Sequence, residues 1–253
     1  MSASSGPLLL QRENGVNIAY HTLDGADPGI VFLGGFMSDM SGTKATALET
    51  HCRNHSRRFV KFDYRGHGAS SGKFRDGTIG LWLDDALAVI DEVTRGPLIL
   101  IGSSMGGWIA LLAALARPER VKGLIGLAAA PDFTSDIWNG LSEPQKRAIR
   151  TTGFIEQPSD YSDEPYVITR ALIEDGARHS LLNASISLRC PVRLIQGMDD
   201  TDVEWTTALR IVERLESDDV TVTLSKSSDH RLSEPADLDR LTGILEALCA
   251  QVG

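Results

Sequence analysis

Gly102-Ser103-Ser104-Met105-Gly106 follows the apolar run Leu98-Ile99-Leu100-Ile101 and opens an alanine-rich stretch. A serine with glycines two residues to either side, on a tight turn from a strand into a helix, can hold a strained backbone and project its hydroxyl into a pocket. The chemistry this suggests is nucleophilic attack by Ser104. The pentapeptide alone arises by chance about 0.2 times in a chain of this composition, so its weight comes from its surroundings.

A serine hydroxyl is a poor nucleophile until a histidine accepts its proton, and the histidine in turn needs an acid to orient it. Both follow in the required chain order. The loop after Val192-Gln196 carries Asp199, Asp200 and Asp202. The Gly-x-x-Asp-x-x-Val frame usual for such an acid favours Asp200. Asp202 is the alternative, and the unused aspartates face solvent or cap the next helix. Of six histidines, His230 in Ser228-Asp229-His230-Arg231 lies shortly after the last predicted strand. His21, His51, His55 and His179 fall near element ends and read as solvated or locally bonded. His67, in the glycine-rich stretch Asp63-Tyr64-Arg65-Gly66-His67-Gly68, could border a pocket, although a role in shaping the turn is favoured. Acyl transfer also needs donors for the oxyanion. The Met105 amide at a helix start supplies one. The turn Gly34-Gly35-Phe36-Met37 supplies the second through Phe36, unless the glycine pair only makes a tight turn.

The elements that must position these groups are legible as short apolar runs bounded by turn residues. Strands are predicted at 18–20, 29–33, 59–64, 98–101, 121–128, 192–196 and 220–224, and helices at about 42–55, 79–94, 106–117, 205–216 and 236–249. Strands alternating with helices make βαβ units and a mostly parallel sheet. The rhythm breaks between Ala130 and Cys190, a gap far beyond the usual connection of about 2–6 residues. Residues 131–189 are therefore expected to be an inserted cap within one domain spanning 1–253. Trp138, Phe154, Tyr161 and Tyr166 lie there among charges and prolines, suited to short helices with one apolar face. Such a cap is either a substrate-covering lid or a packed surface excursion.

Composition excludes several classes. A net charge of −9, with basic residues dispersed, opposes nucleic acid and anionic lipid. No stretch approaches the ~20 apolar residues of a membrane span, so no stable membrane insertion is expected. The glycine-rich segments lack the third glycine of a dinucleotide fingerprint and the lysine of a P-loop. Cys52, Cys190 and Cys249 are odd in number and unpaired in spacing, as in buried reduced thiols. The opening Met1-Ser-Ala-Ser-Ser-Gly-Pro carries no positive charge. A cytoplasmic protein is the expectation.

The stretches Gly35–Ala45, Phe62–Gly66, Gly102–Trp108 and Ser228–Arg231 resemble the α/β-hydrolases, and more closely the acyl-protein thioesterase family of that fold, whose members remove S-palmitoyl groups and cleave acyl glucuronides. The resemblance covers nearly the whole chain. It implies an α/β-hydrolase fold: a mostly parallel central sheet flanked by helices, with a cap inserted after the sixth strand. It implies Ser104 as nucleophile, Asp200 as acid and His230 as base, with no metal and no organic cofactor. Animal members carry an organellar targeting segment that the opening here does not resemble. One departure is Gln196-Gly197 where His-Gly is common, expected to alter loop bonding and not chemistry.

The expected function is cleavage of carboxylic thioesters or esters through an acyl-enzyme, on an acylated protein or a small molecule. The near alternative is a general carboxylesterase for small acyl or acyl-glucuronide conjugates, and a perhydrolase side activity would use the same residues. A more distant one is a non-catalytic receptor on the same scaffold. Dehalogenases and epoxide hydrolases of this fold place aspartate where Ser104 stands.

Overall fold

The computed structural model describes residues 6–12, 15–158 and 165–253. Eight strands form one sheet: β1 (Leu8–Gln11), β2 (Asn17–Leu23), β3 (Ala26–Leu33), β4 (Arg57–Phe62), β5 (Leu98–Ser103), β6 (Val121–Leu127), β9 (Val192–Gly197) and β10 (Val220–Ser225). Their spatial order is β1-β2-β4-β3-β5-β6-β9-β10. Only β1 with β2 and β2 with β4 pair antiparallel, and every other neighbouring pair is parallel. The central strands are buried on both faces: all six residues of β5 are buried. That is why they read as unbroken apolar runs and not as alternating ones.

Helices cover both faces. On one lie α1 (Thr43–Asn54) and α8 (Pro235–Val252), packed on Ile30, Phe32, Ile99, Ile101 and Ile125. On the other lie α2 (Ile79–Ala88), α3 (Met105–Ala116) and α7 (Thr206–Arg214), packed on Val31, Leu33, Leu98, Leu100 and Leu124. A turn of π-helix at Val89–Val93 extends α2. The predicted elements fall on these within a few residues, and β1 lies outside them. Its exposed Leu8 and Leu9 on a sheet edge carry little of the burial signal by which strands are recognised.

The excursion between β6 and β9 contains α4 (Phe133–Gly140), α5 (Glu143–Thr152), an antiparallel pair β7 (Phe154–Gln157) and β8 (Tyr166–Thr169), and α6 (Arg170–Arg178). Its helix ends are chemically marked. Ser142 and Gln145 form a capping box at the start of α5, Gly153 ends it at φ +87°, and the Thr169 hydroxyl accepts from the Leu172 amide to start α6. The small sheet lies outside the predicted strands. Its strands are four residues each, too short to show a period. Tyr161 lies outside the described residues.

Buried carboxylates close the stems of these loops. Asp132 is buried and accepts from the Ser180 hydroxyl at 2.6 Å and from the amides of Leu181 and Leu182 at 2.8 and 3.0 Å, joining the two ends of the excursion. Asp63, also buried, accepts from the amides of Met40 and Ala69, tying the loops after β3 and β4 together. Asp85, with no exposed surface, receives the Arg65 guanidinium at 2.6 and 3.0 Å and the Arg65 amide at 2.8 Å. Burial pushes the Asp85 carboxyl up, against the opposing pull of Arg65. Removing one member of a buried pair leaves the other charge uncompensated. Asp85→Ala is therefore expected to lower the unfolding free energy by about 3–5 kcal/mol, read from urea denaturation, and a loss under 1 kcal/mol would mean that Arg65 finds another partner.

Candidate active site

The strand β5 ends in a turn whose geometry only glycine neighbours allow. Ser104 has φ +54° and ψ −119°, outside the regions favoured by L-residues. A Cβ on Gly102 would lie 2.2 Å from the Gly106 carbonyl oxygen, and one on Gly106 would lie 2.1 Å from the carbonyl oxygen of Leu33. The serine is held from both sides: its amide donates to Leu127 O at 2.8 Å and its carbonyl accepts from Ala130 N at 3.1 Å.

The register of β3 against β5 pairs Leu33 with Gly102, so the loop leaving β3 emerges beside the turn at Ser104. Gly35 is close-packed there; a Cβ on it would lie 3.4 Å from the Cβ of Ser104. Phe36 is next in the chain, and Met105 opens α3 directly after Ser104, so both candidate oxyanion donors belong to segments that adjoin the serine. Amides in the first turn of a helix have no partner within the helix. The Phe36 ring is fixed by edge contacts with Phe74 at 4.7 Å and Phe133 at 5.5 Å between centroids, and lies 5.6 Å from Tyr166. Two of these three partners belong to the excursion.

Ser104, His230 and Asp200 come together from three loops at the C-terminal edge of the sheet. His230 Nε2 lies 3.0 Å from Ser104 Oγ, and His230 Nδ1 lies 2.9 Å from Asp200 Oδ2. A carboxylate accepts only, so Nδ1 carries the proton and Nε2 faces the serine hydroxyl as acceptor. The Asp200 side chain is wholly buried. Burial pushes its carboxyl up, but the His230 bond and the amides of Val203 and Asp202, at 2.8 and 2.9 Å on Oδ1, outweigh this and hold it below its ordinary value. Asp202, the alternative acid, is exposed and contributes its amide to Asp200. Asp199 is exposed too, its amide bonded to Ser228 O.

Two residues near this chemistry were not assigned a part in it from sequence. Gln196 is buried and its Nε2 donates at 2.8 Å to Asp200 Oδ2, the same oxygen that receives His230. The substitution noted at Gln196-Gly197 therefore reaches the acid itself and not only the loop. Lys44 stands in the first turn of α1 on the cavity wall, and its Nζ donates to the Arg231 carbonyl beside His230. Burial lowers its amine to about 8. The Lys44 contact joins residues 187 apart in the chain, beyond any local spacing, whereas Gln196 and Asp200 are four residues apart and meet because the loop after β9 turns the carboxylate back toward the strand end. His67 does not border the cavity. It is buried, with Nδ1 3.2 Å from Arg65 O and its ring edge-on to Tyr64, Phe74 and Trp82, and burial lowers it to about 4.

Ser104 and His230 open onto a cavity of about 1160 Å³. Its apolar wall includes Phe36, Met105, Phe133, Ile137, Tyr166 and Ile168, while Asp136, Glu204 and Arg210 are among its polar residues. The excursion thus supplies much of the apolar surface over the serine.

Residues 29–158, just over half of the chain, match a family described as serine aminopeptidase, S33. The chain is 42% identical over 240 residues to the protein named palmitoyl-protein thioesterase ABHD10, mitochondrial, of Bos taurus, covering 94% of this chain and 78% of that one, and the Homo sapiens protein of the same name gives the same figures. Among solved structures, mouse ABHD10 superposes with a TM-score of 0.92 at 39% identity, covering 98% of this chain and all of that one. A putative hydrolase from Agrobacterium vitis S4 does so with 0.91 at 42%, covering 95% and 96%. The mitochondrial label of these relatives overturns the cytoplasmic expectation drawn from charge and cysteine content. Unpaired reduced thiols and an acidic surface do not distinguish one reducing compartment from another. With its sheet order, its turn at Ser104 and this identity over nearly all its length, the chain belongs to the α/β-hydrolases and, among them, to the family of the palmitoyl-protein thioesterase ABHD10.

Proposed function

We propose that the protein hydrolyses long-chain acyl thioesters, with an S-acylated protein as its substrate class, through an acyl-enzyme on Ser104. The observation that carries this reading is the continuous relay from Asp200 through His230 to Ser104, at 2.9 and 3.0 Å, opening onto a cavity one wall of which is apolar, formed by Phe36, Phe133, Ile137, Tyr166 and Ile168. The family's name supports the thioester class. The cavity volume exceeds the ~300–1,000 Å³ of ordinary ligand pockets and suits an extended acyl chain.

In the first half-reaction Ser104 Oγ attacks the acyl carbonyl while His230 Nε2 takes its proton, and the amides of Phe36 and Met105 hold the tetrahedral oxyanion. The imidazolium then protonates the departing thiolate, leaving the acyl ester on Ser104. Water attacks that ester with His230 again as base, which releases the acid and restores the serine. Asp200 remains a carboxylate throughout, stabilising the imidazolium and holding its tautomer. The reaction needs no metal or organic cofactor. The segment 131–189 acts as a lid within a single domain, its Phe133, Ile137, Tyr166 and Ile168 covering the acyl chain and excluding water.

The primary test is hydrolysis of matched acyl thioesters and oxoesters from two to sixteen carbons. Turnover should rise with chain length, favour the thioester and vanish in Ser104→Ala. Preference for short oxoesters or acyl glucuronides would replace this reading with a general esterase. Failure of a fluorophosphonate to label Ser104 would leave a non-catalytic receptor. Asp200→Asn should retain the fold and lose about 10⁴ in kcat through the wrong imidazole tautomer. Gln196→Met, which keeps volume but removes a donor from Asp200, is expected to lower kcat about tenfold, equivalent to ~1.4 kcal/mol in the barrier, with KM unchanged. An unaltered kcat would show that Gln196 serves packing alone.

A further inference from the structure

We propose that His51, His55 and Glu246 form a binding site for a divalent transition-metal ion of the zinc class, joining the C-terminal end of α1 to α8, away from the first turn of α1 that lines the cavity. His51 lies in the last turn of α1 and His55, four residues on, is its C-cap, so the two side chains are neighbours at the end of the helix. Their rings stack with centroids 4.1 Å apart and 25° between planes. A ligand atom from each histidine and a carboxylate oxygen of Glu246 on α8 all lie within 4.8 Å of one another. Ligands at ~2.0–2.1 Å around a tetrahedral ion are about 3.3 Å apart. Side-chain rotations that close the set by roughly 1–1.5 Å therefore complete three corners, with solvent at the fourth, where His55 is exposed.

The surrounding bonds already orient the ligands. His55 Nδ1 lies 2.9 Å from the His51 carbonyl oxygen. A carbonyl only accepts, so the proton sits on Nδ1 and Nε2 presents its lone pair. This outer hydrogen bond is the one that fixes tautomer and ring orientation in metal-binding histidines. Glu246 is held by Arg57, whose Nη2 donates to Oε2 at 2.5 Å and whose Nε donates to Oε1 at 2.9 Å, so the carboxylate is fixed in direction and ionised. His51 Nε2 donates to Oε1 at 2.9 Å. The incoming ion replaces that single contact, and the displaced proton moves to Nδ1 of the same ring or to water. Arg57 offsets the carboxylate charge, and two of three ligands are imidazole nitrogens. This set suits zinc, nickel, cobalt or copper and not magnesium or calcium, which require several oxygens.

The placement states what such an ion does. The loop carrying Phe36 runs directly into α1, and the loop carrying His230 runs directly into α8. Glu246 lies eleven residues past the start of α8, about 16 Å along the helix at ~1.5 Å per residue. An ion there stabilises the two helices that bear the oxyanion loop and the base loop without entering the chemistry.

The test uses the full chain stripped with a chelator, then titrated with zinc chloride while thermal unfolding is followed. The wild type should gain about 5 °C in Tm at a hundredfold excess of zinc over Kd and retain one ion per chain. With cobalt it should develop visible d–d absorption. His55→Ala, which removes an exposed side chain bonded only to its own helix, should keep the metal-free Tm and bind zinc at least tenfold more weakly, without the cobalt spectrum; if that variant misfolds, His55→Gln takes its place. Asp200, Asp202 and His230 also bring ligand atoms within 4.8 Å of one another. Zinc held there would inhibit ester hydrolysis and be indifferent to position 55. A Tm gain that survives His55→Ala, or no gain at all, overturns the proposal.

Discussion

The tight approach of β3 and β5 at the serine turn is the constraint on which the remaining geometry depends. Gly106 sits so close to the carbonyls of Leu33 and Gly34 that no side chain fits between them. That contact places the loop after β3, which carries Phe36, against the turn that carries Ser104 and Met105. The strained φ of Ser104 persists because neighbours over-determine it: β6 accepts its amide, Ala130 donates to its carbonyl, and α3 begins immediately after it. The fully buried strand β5 that leads into the turn adds to that over-determination.

Around that turn, loops that would otherwise be free are closed by buried aspartates. Asp63 gathers amides from the loops after β3 and β4, Asp85 holds Arg65, Asp132 closes the excursion, and Asp200 orients His230. Each carboxylate is costly to bury and is retained because several directed donors meet it. The result is a site whose dipoles are set before substrate arrives, the condition under which electrostatic stabilisation is most effective. Gln196 extends this logic to the acid itself, satisfying an oxygen that would otherwise face only the imidazole.

The excursion shows how a composition is read more readily than a fold. Its length and its aromatic residues among charges mark an insertion with one apolar face. Its two short strands are invisible locally because four residues per strand carry almost no periodicity. What joins Tyr166 and Phe133 to Phe36 is a three-way packing across segments about 100 residues apart, which no window of sequence contains.

Sequence by itself determined the alternation of strands and helices, the glycine frame around Ser104, and the chain order of serine, aspartate and histidine. These are local properties: burial pattern, backbone freedom and residue type. Its Gly-x-x-Asp-x-x-Val frame favours Asp200 over Asp199 and Asp202, but the inward turn of that carboxylate onto His230 is made by the path of the loop after β9. Sequence could not show that Gln196 touches the acid, that Lys44 donates to the base loop, or that His67 is a neutral core residue. The Lys44 contact depends on parallel strands bringing distant loops to one edge of the sheet, the Gln196 contact on how the loop after β9 folds back, and the burial of His67 on the rings of Tyr64, Phe74 and Trp82 packed around it. The physical reason is that hydrogen bonds and desolvation are set by distance in space, and only the closed tertiary structure converts separation along the chain into that distance.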